Sequence, residues 1–323
     1  MKLFFAAGHN PKHCFEMGMK RRMMSFAYPQ EIQQWLPIVQ ANNDIQNQDL
    51  ILDSGAYTAW TKGTYIDIAD YVRFVKIYKD LGWKSFNFAN MDVIPGNYGR
   101  IPTPDEVEQS AYQGRENSLR IMEMGVKPIA IFHQGERVYW LKKMIEDGFD
   151  YVGISPANDR TTLQKRIWMD EMFRFMENYP QVKTHGFGVM AFTLLRRYPW
   201  YSCDAASWLQ GPGYGKIIWF REDTGFLILN VSYEKRMRKR DHVFNYREPD
   251  RRAIIDRINE LPGINTTLEE ISTNYDLRIE LSTLFILEAE RWLNSIECKK
   301  EYLSGRTWHE DQSEGFFAED AEE

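Results

Sequence analysis

The chain has 323 residues, 43% apolar and 27% charged, which excludes a disordered or fibrous protein and supplies enough material for one large core. No apolar run approaches the roughly 18 residues of a membrane span, and the opening MKLFFAAGHNPKHC lacks the apolar core and cleavage site of a signal peptide. Cys14, Cys203 and Cys298 stand apart with no CxxC spacing, excluding a disulfide framework and a cysteine zinc site, so a cytoplasmic protein with reduced thiols, no metal and no cofactor is expected.

Short apolar or β-rich runs alternate with helical patterns along the first 220 residues. The runs are Leu3–Ala6, Leu50–Asp53, Ser85–Ala89, Pro128–Phe132, Tyr151–Ile154, His185–Val189, Trp200–Cys203 and Lys216–Phe220. Alternation of this kind predicts βα units and a parallel sheet. Eight runs predict closure into a (β/α)8 TIM barrel, and no G-x-G-x-x-G turn follows the first run to favour a doubly wound sheet. Apolar spacing predicts helices over Ile68–Tyr78, Arg137–Ile145 and Leu163–Met176, and another over Pro104–Met124 that starts from a Thr-Pro-Asp-Glu cap. After Phe220 the alternation stops. Helices are predicted over Asp250–Glu260, Thr267–Asn274 and Leu277–Asn294, the second announced by Asn265-Thr266-Thr267 with Glu269 and Glu270 in its first turn. The expected organisation is a barrel over 1–222, a mostly helical appendage over 223–305 and an acidic, unstructured tail over 306–323.

The formal charge of −6 is unpromising for a nucleic-acid partner, but seven of the acids lie in residues 310–323, leaving 40 basic against 39 acidic residues elsewhere. Lys235, Arg236, Arg238, Lys239 and Arg240 form one basic run, which reads either as a solvated face or as a set of phosphate contacts.

In a barrel of this class, chemistry collects at the C-terminal ends of the strands. Polar residues end several runs: Asp53 in Leu50-Ile-Leu-Asp-Ser-Gly-Ala-Tyr57, Asp92 in Ala89-Asn-Met-Asp92, Gln134 in Ile131-Phe-His-Gln-Gly135, and Asp204 in Trp200-Tyr-Ser-Cys-Asp204. Each Asp alone could cap the following helix; three at one mouth suit acid, base and nucleophile roles in glycosyl transfer. His133 reads as an orienting neighbour of Gln134 or as a satisfied strand-end histidine. His9 and His185 end other strands without metal-ligand spacing. Gly186 and Gly188 read as sites of close backbone approach or as turn glycines.

The order Asp53-Ser-Gly-Ala-Tyr57, Asn90-Met-Asp92, His133-Gln-Gly135, Tyr151-Val-Gly153, His185-Gly-Phe-Gly-Val189 and Ser202-Cys-Asp204 resembles the tRNA-guanine transglycosylase superfamily over roughly residues 50–210. It is most similar to the DNA-modifying, DpdA-type 7-deazaguanine transglycosylases of viruses and bacteria, notably through Arg196-Arg-Tyr-Pro-Trp-Tyr-Ser-Cys-Asp-Ala-Ala-Ser-Trp208. The resemblance implies that Asp204 is the nucleophile and Asp53 the general acid/base. It implies that Asp92, Gln134 and the Gly153 backbone read the purine edge, with Ser54 and His133 beside them. Tyr57 reads as a base-stacking residue or as a buried core tyrosine.

The chain departs from the tRNA enzymes in lacking their Cys-x-Cys-x-x-Cys and His zinc site, and it has Ala205-Ala-Ser-Trp208 after the nucleophile in place of a Leu-Pro-Thr-Arg-type stretch. DNA is therefore the expected polymer and a 7-deazaguanine such as preQ0 the expected incoming base, in a cytoplasm that would be the host's if the gene is viral. The basic run and Lys20-Arg-Arg22 are the candidate phosphate contacts. The alternatives are the same exchange on tRNA, a non-catalytic nucleic-acid-binding barrel, and a nucleoside hydrolase.

Overall fold

The computed structural model describes residues 1–96, 99–233 and 242–304. Eight parallel strands form one curled sheet: β1 (Lys2–Ala6), β2 (Arg21–Ser25), β3 (Asp49–Asp53), β4 (Ser85–Phe88), β5 (Ala130–His133), β6 (Tyr151–Ser155), β7 (Lys183–Gly186) and β8 (Ser202–Ala205). Their order is β4-β3-β2-β1-β8-β7-β6-β5. The two end strands meet through a single bridge, Ala89 to Ile129, in which the Ile129 N–H donates to the Phe88 carbonyl (2.8 Å) and the Asn90 N–H to the Ile129 carbonyl (2.9 Å). The architecture is the expected (β/α)8-like one with a helical C-terminal part.

Two strand assignments differ from expectation. Arg21–Ser25 is the second barrel strand, where the sequence suggested only a basic loop. Lys216–Phe220 is not the eighth: as β9 (Lys216–Arg221) it pairs antiparallel with β10 (Gly225–Asn230) in a separate hairpin. Each of Lys20, Arg21 and Arg22 has a partner within the fold, and Arg22 alone is buried. Lys20 bonds Asp44 (2.6 Å) and Arg21 bonds Glu290 (2.7 Å). Arg22, only 3% exposed, donates to the Ala7 carbonyl beneath the rings of Trp35 and Trp208. A buried guanidinium cannot meet a phosphate, which removes Arg22 from the candidate contacts.

Side chains alternate along each strand. Phe4, Met23, Ile51, Ile129 and Tyr151 form a small cluster of their own inside the barrel. Leu3, Phe5, Met24, Leu50, Leu52, Val152 and Ile154 belong to the larger core beneath the helices. With both faces covered, the strands read as near-continuous apolar runs.

The connecting helices are α1 (Pro11–Glu16), α2 (Gln30–Ala41), α3 (Ala56–Lys62), α4 (Ile68–Lys79), α5 (Pro104–Glu123), α6 (Val138–Glu146), α7 (Thr162–Met176), α8 (Phe192–Arg197) and α9 (Ser207–Gly213). Thr103 and Glu106 make the reciprocal capping box anticipated at the start of α5, and Thr161 with Gln164 does the same for α7.

Beyond the hairpin come α10 (Glu248–Asn259), α11 (Leu268–Thr273, capped by Thr267) and α12 (Tyr275–Ser295), close to the expected bounds. The last of these lies against β9, α9 and β1. From it Glu290 accepts the Leu3 N–H (3.0 Å) and Ser282 the Ile218 N–H (3.1 Å). Among the described residues no helix is long and apolar enough to cross a membrane. The basic run Lys235, Arg236, Arg238, Lys239 and Arg240, and the acidic tail, lie outside the described residues.

Candidate active site

Asp53 closes β3 and faces the barrel mouth. Its strand end is fixed from behind by Tyr71 of α4, whose hydroxyl lies 3.2 Å from the Leu52 carbonyl and 2.8 Å from that of Ala89. Asp53 Oδ2 accepts hydrogen bonds from Ser25 Oγ (2.8 Å) and the Gly55 N–H (3.0 Å). Gly55 takes a φ of 80°, and a Cβ there would fall 2.8 Å from Ala27 Cβ, so this turn requires glycine. Burial raises the Asp53 carboxyl, and the negative charges of Asp92 and then Asp204 raise it further. These outweigh the bonds from Ser25 and Gly55 and push it up to about 6. The three acids expected at the mouth thus act on one another.

Asp92 follows β4 on a loop tied to α5, where Asn90 Nδ2 donates to the Gly114 carbonyl (2.8 Å) and Asn117 Nδ2 to that of Met91 (2.7 Å). Its Oδ2 lies 2.9 Å from His133 Nε2, and His133 Nδ1 lies 3.0 Å from Glu136 Oε1. Burial opposes charging this imidazole. The hydrogen bonds and charges of Asp92 and Glu136 prevail and bring its pKa up to about 10, so near neutrality an imidazolium bridges two carboxylates. His133 is therefore satisfied, but by Asp92 rather than through Gln134. Glu136, which sequence reasoning overlooked, is buried, and its Oε2 has no hydrogen-bond partner among the described residues.

Asp204 lies at the end of β8, almost fully buried. Its Oδ1 is 3.2 Å from His185 Nε2 and accepts the Gly188 N–H at 3.0 Å. The His185-Gly-Phe-Gly-Val189 segment therefore serves this carboxylate directly. Gly188 turns at a φ of 63° to aim its N–H, while at Gly186 a Cβ would meet Cys203 Sγ at 2.9 Å. The helices after β3 and β8 begin at Gly55 and Ala206 with no side-chain cap, so neither Asp53 nor Asp204 serves as a helix cap.

The remaining candidates divide. Tyr57, in the first turn of α3, is 50% exposed with its ring 5.8 Å from that of Trp60; it is not a core residue. Gln134 Oε1 accepts the Ala157 N–H (3.1 Å), which ties the loop after β5 to the loop after β6. Ser54 is fully buried and its hydroxyl accepts the Ala56 N–H (3.3 Å). Gly153 lies mid-strand beneath the Phe187 ring, where a Cβ would fall 2.2 Å from a ring carbon. Among the described residues no group of three or more His, Cys, Asp or Glu side chains is arranged to hold a metal ion.

No family model and no curated protein matches the chain. Among solved structures, one titled "Native KDPGal structure" aligns over 92% of this chain and 97% of its own at 9% identity, with a TM-score of 0.39.

Proposed function

We propose that this protein is a base-exchanging transglycosylase that replaces guanine in DNA with a 7-deazaguanine such as preQ0 through a covalent Asp204–nucleotide intermediate. The observation that carries the reading is the division of labour among three carboxylates at one mouth. Asp53 is pushed up to about 6, Asp92 is paired with His133, and Asp204 is held on one oxygen by the Gly188 N–H beside His185 Nε2. A double displacement needs a carboxylate that attacks and another that gives and then takes a proton.

In the first half-reaction an Asp204 oxygen attacks C1′ and the C1′–N9 bond breaks. Guanine leaves with the proton of Asp53. In the second, N9 of the incoming deazapurine attacks C1′, its proton passes to Asp53, and the C1′–O bond to Asp204 breaks. Asp92, oriented by its contact with His133, accepts hydrogen bonds from the N1–H and exocyclic N–H donors of the guanine edge. Tyr57 is exposed enough to stack on a base. The target nucleotide has to leave the duplex, at a cost of about a few kcal/mol that backbone contacts must offset. DNA is preferred to tRNA because the cysteine zinc motif and the post-nucleophile stretch of the tRNA enzymes are absent from the sequence.

The test is release of labelled guanine from DNA and from tRNA, with and without preQ0, for the native protein and Asp204→Asn. Native protein should turn over guanine from DNA repeatedly only when the deazapurine is present, and without it should release about one equivalent per enzyme as the adduct forms on a denaturing gel; Asp204→Asn should do neither. Exchange on tRNA alone would overturn the DNA assignment. Repeated turnover without an incoming base would favour a hydrolase.

A further inference from the structure

Behind Asp204 a line of polar side chains runs through the barrel interior. Tyr151 Oη lies 2.5 Å from Ser202 Oγ, Ser202 Oγ lies 2.6 Å from His185 Nδ1, and His185 Nε2 lies 3.2 Å from Asp204 Oδ1. Ser202 and His185 have no exposed surface, and Tyr151 and Asp204 have 7% each. Bulk solvent does not reach the middle of this line, so the hydrogens are assigned from the groups around them.

The Tyr151 hydroxyl has Ser202 as its one hydrogen-bond partner among the described residues, so its proton must point there. Ser202 Oγ then accepts from Tyr151 and has its own hydrogen left to donate. Its other neighbour is His185 Nδ1, which must be bare to receive it. The imidazole proton accordingly sits on Nε2 and points at Asp204 Oδ1. Reversing the direction puts a nitrogen lone pair against a carboxylate oxygen and strands a hydroxyl hydrogen. Protonating both ring nitrogens also strands one. The rings of Phe4, Tyr151 and Phe187 pack edge-on to the imidazole, with centroids 6.2, 6.3 and 4.5 Å away, and confine its orientation.

We propose that Tyr151, Ser202 and His185 form a one-way hydrogen-bond relay that fixes His185 as the neutral Nε2–H tautomer and, with the Gly188 N–H, immobilises Asp204 Oδ1 so that Oδ2 is the attacking oxygen. The three are positioning residues: none touches the reacting atoms. In this relay both donors to Asp204 are neutral, whereas Asp92 faces an imidazolium. This assignment rests on the reading of Asp204 as the nucleophile, but the state of the relay can be measured without any substrate.

The experiment is histidine-selective 15N NMR on the full chain, with His185→Gln to assign the signal, alongside guanine exchange on guanine-containing DNA. The native protein should show an unprotonated Nδ1 and a protonated Nε2 at His185. Tyr151→Phe should keep that tautomer, since Ser202 still donates, whereas Ser202→Ala should lose it. Ser202→Ala should lower kcat by about 10- to 100-fold with KM changed less than about twofold, as expected for a misaligned reacting atom. Ser202→Thr should restore most of the rate. If Ser202→Ala does not fold, the native tautomer and Tyr151→Phe still decide. A proton on Nδ1, or on both nitrogens, in the native protein would overturn the relay, as would a Ser202→Ala protein with native kcat. Failure of native protein to exchange guanine would count against the transglycosylase reading alone; the tautomer decides the relay separately.

Discussion

Asp49 and Asp53 stand four residues apart on β3, both inside the barrel, at opposite ends of it. Burial raises the pKa of Asp49, but hydrogen bonds from Lys2 (2.8 Å) and Ser85 and the charges of Lys2 and Arg21 bring it below the ordinary carboxylate value. Burial also raises Asp53, whose charged neighbours are two further acids, and it stays raised at about 6. The same residue type on the same strand is thus lowered among cations at the closed end and raised among acids at the open end, where the proposed function needs a proton donor. Burial raises both; hydrogen bonds and two cations outweigh it at Asp49, while two acids add to it at Asp53.

Three substitutions probe this contrast. Asp53→Asn should lower exchange by about 10² to 10⁴, the usual range for removing a positioned acid/base. In the native protein, guanine release should fall as pH rises through about 6, because the protonated carboxyl is the donor, and this limb should vanish in the variant. A limb unchanged in Asp53→Asn would assign the titration elsewhere.

Asp49→Ala should cost stability instead, about 3 kcal/mol, because Lys2 and Arg21 lose their buried partner. The lowered pKa of Asp49 means that its contribution is present above about pH 4 and is lost as pH falls through its folded value. Asp53→Asn should have the opposite stability effect. A raised carboxyl pKa is a stabilising contribution lost as pH rises through about 6, so the variant should gain about 1 kcal/mol at pH 7 and little at pH 3.5. Urea unfolding of both variants at the two pH values checks the pair. Equal losses at pH 7 would show the two ends to be alike.

The smallest effect is expected at His133, raised from an ordinary 6.5 to about 10. Its stabilising contribution is complete below about 6.5 and disappears as pH rises through about 10. Glu136→Gln should lower that pKa, so native protein should lose about 1 kcal/mol more than the variant between about pH 7 and 10.5. An NMR titration of His133 that is identical in both would remove Glu136 from the network.

Much of this was legible in the sequence where local rules decide. Thr103 and Thr267 announced helix starts, and Asp53, Asp92 and Asp204 stood out as polar ends of apolar runs. β2 was not legible, because Arg21-Arg-Met-Met-Ser25 has no β-branched residue and two of its five positions are arginines whose partners come from distant segments. Lys216–Phe220 misled for the opposite reason: Ile217, Ile218, Trp219 and Phe220 form a strong strand signal whose partner is local, across the Glu222-Asp-Thr-Gly225 turn. The partners of the site acids, Glu136, Ser25, His185 and Ser202, become visible only once the strands are side by side.

The joint between β4 and β5 holds one further consequence. Every other neighbouring pair in the sheet shares a ladder, and these two share a single bridge, with Asp92 following one strand and His133 ending the other. The ion pair between them is thus a latch across the weakest joint of the barrel. Only Oδ2 of Asp92 is engaged in that latch, so under the proposed function a purine held through Oδ1 would leave the wall closed and one held through Oδ2 would open it, a difference read at the amides of Asn90 and Ile129.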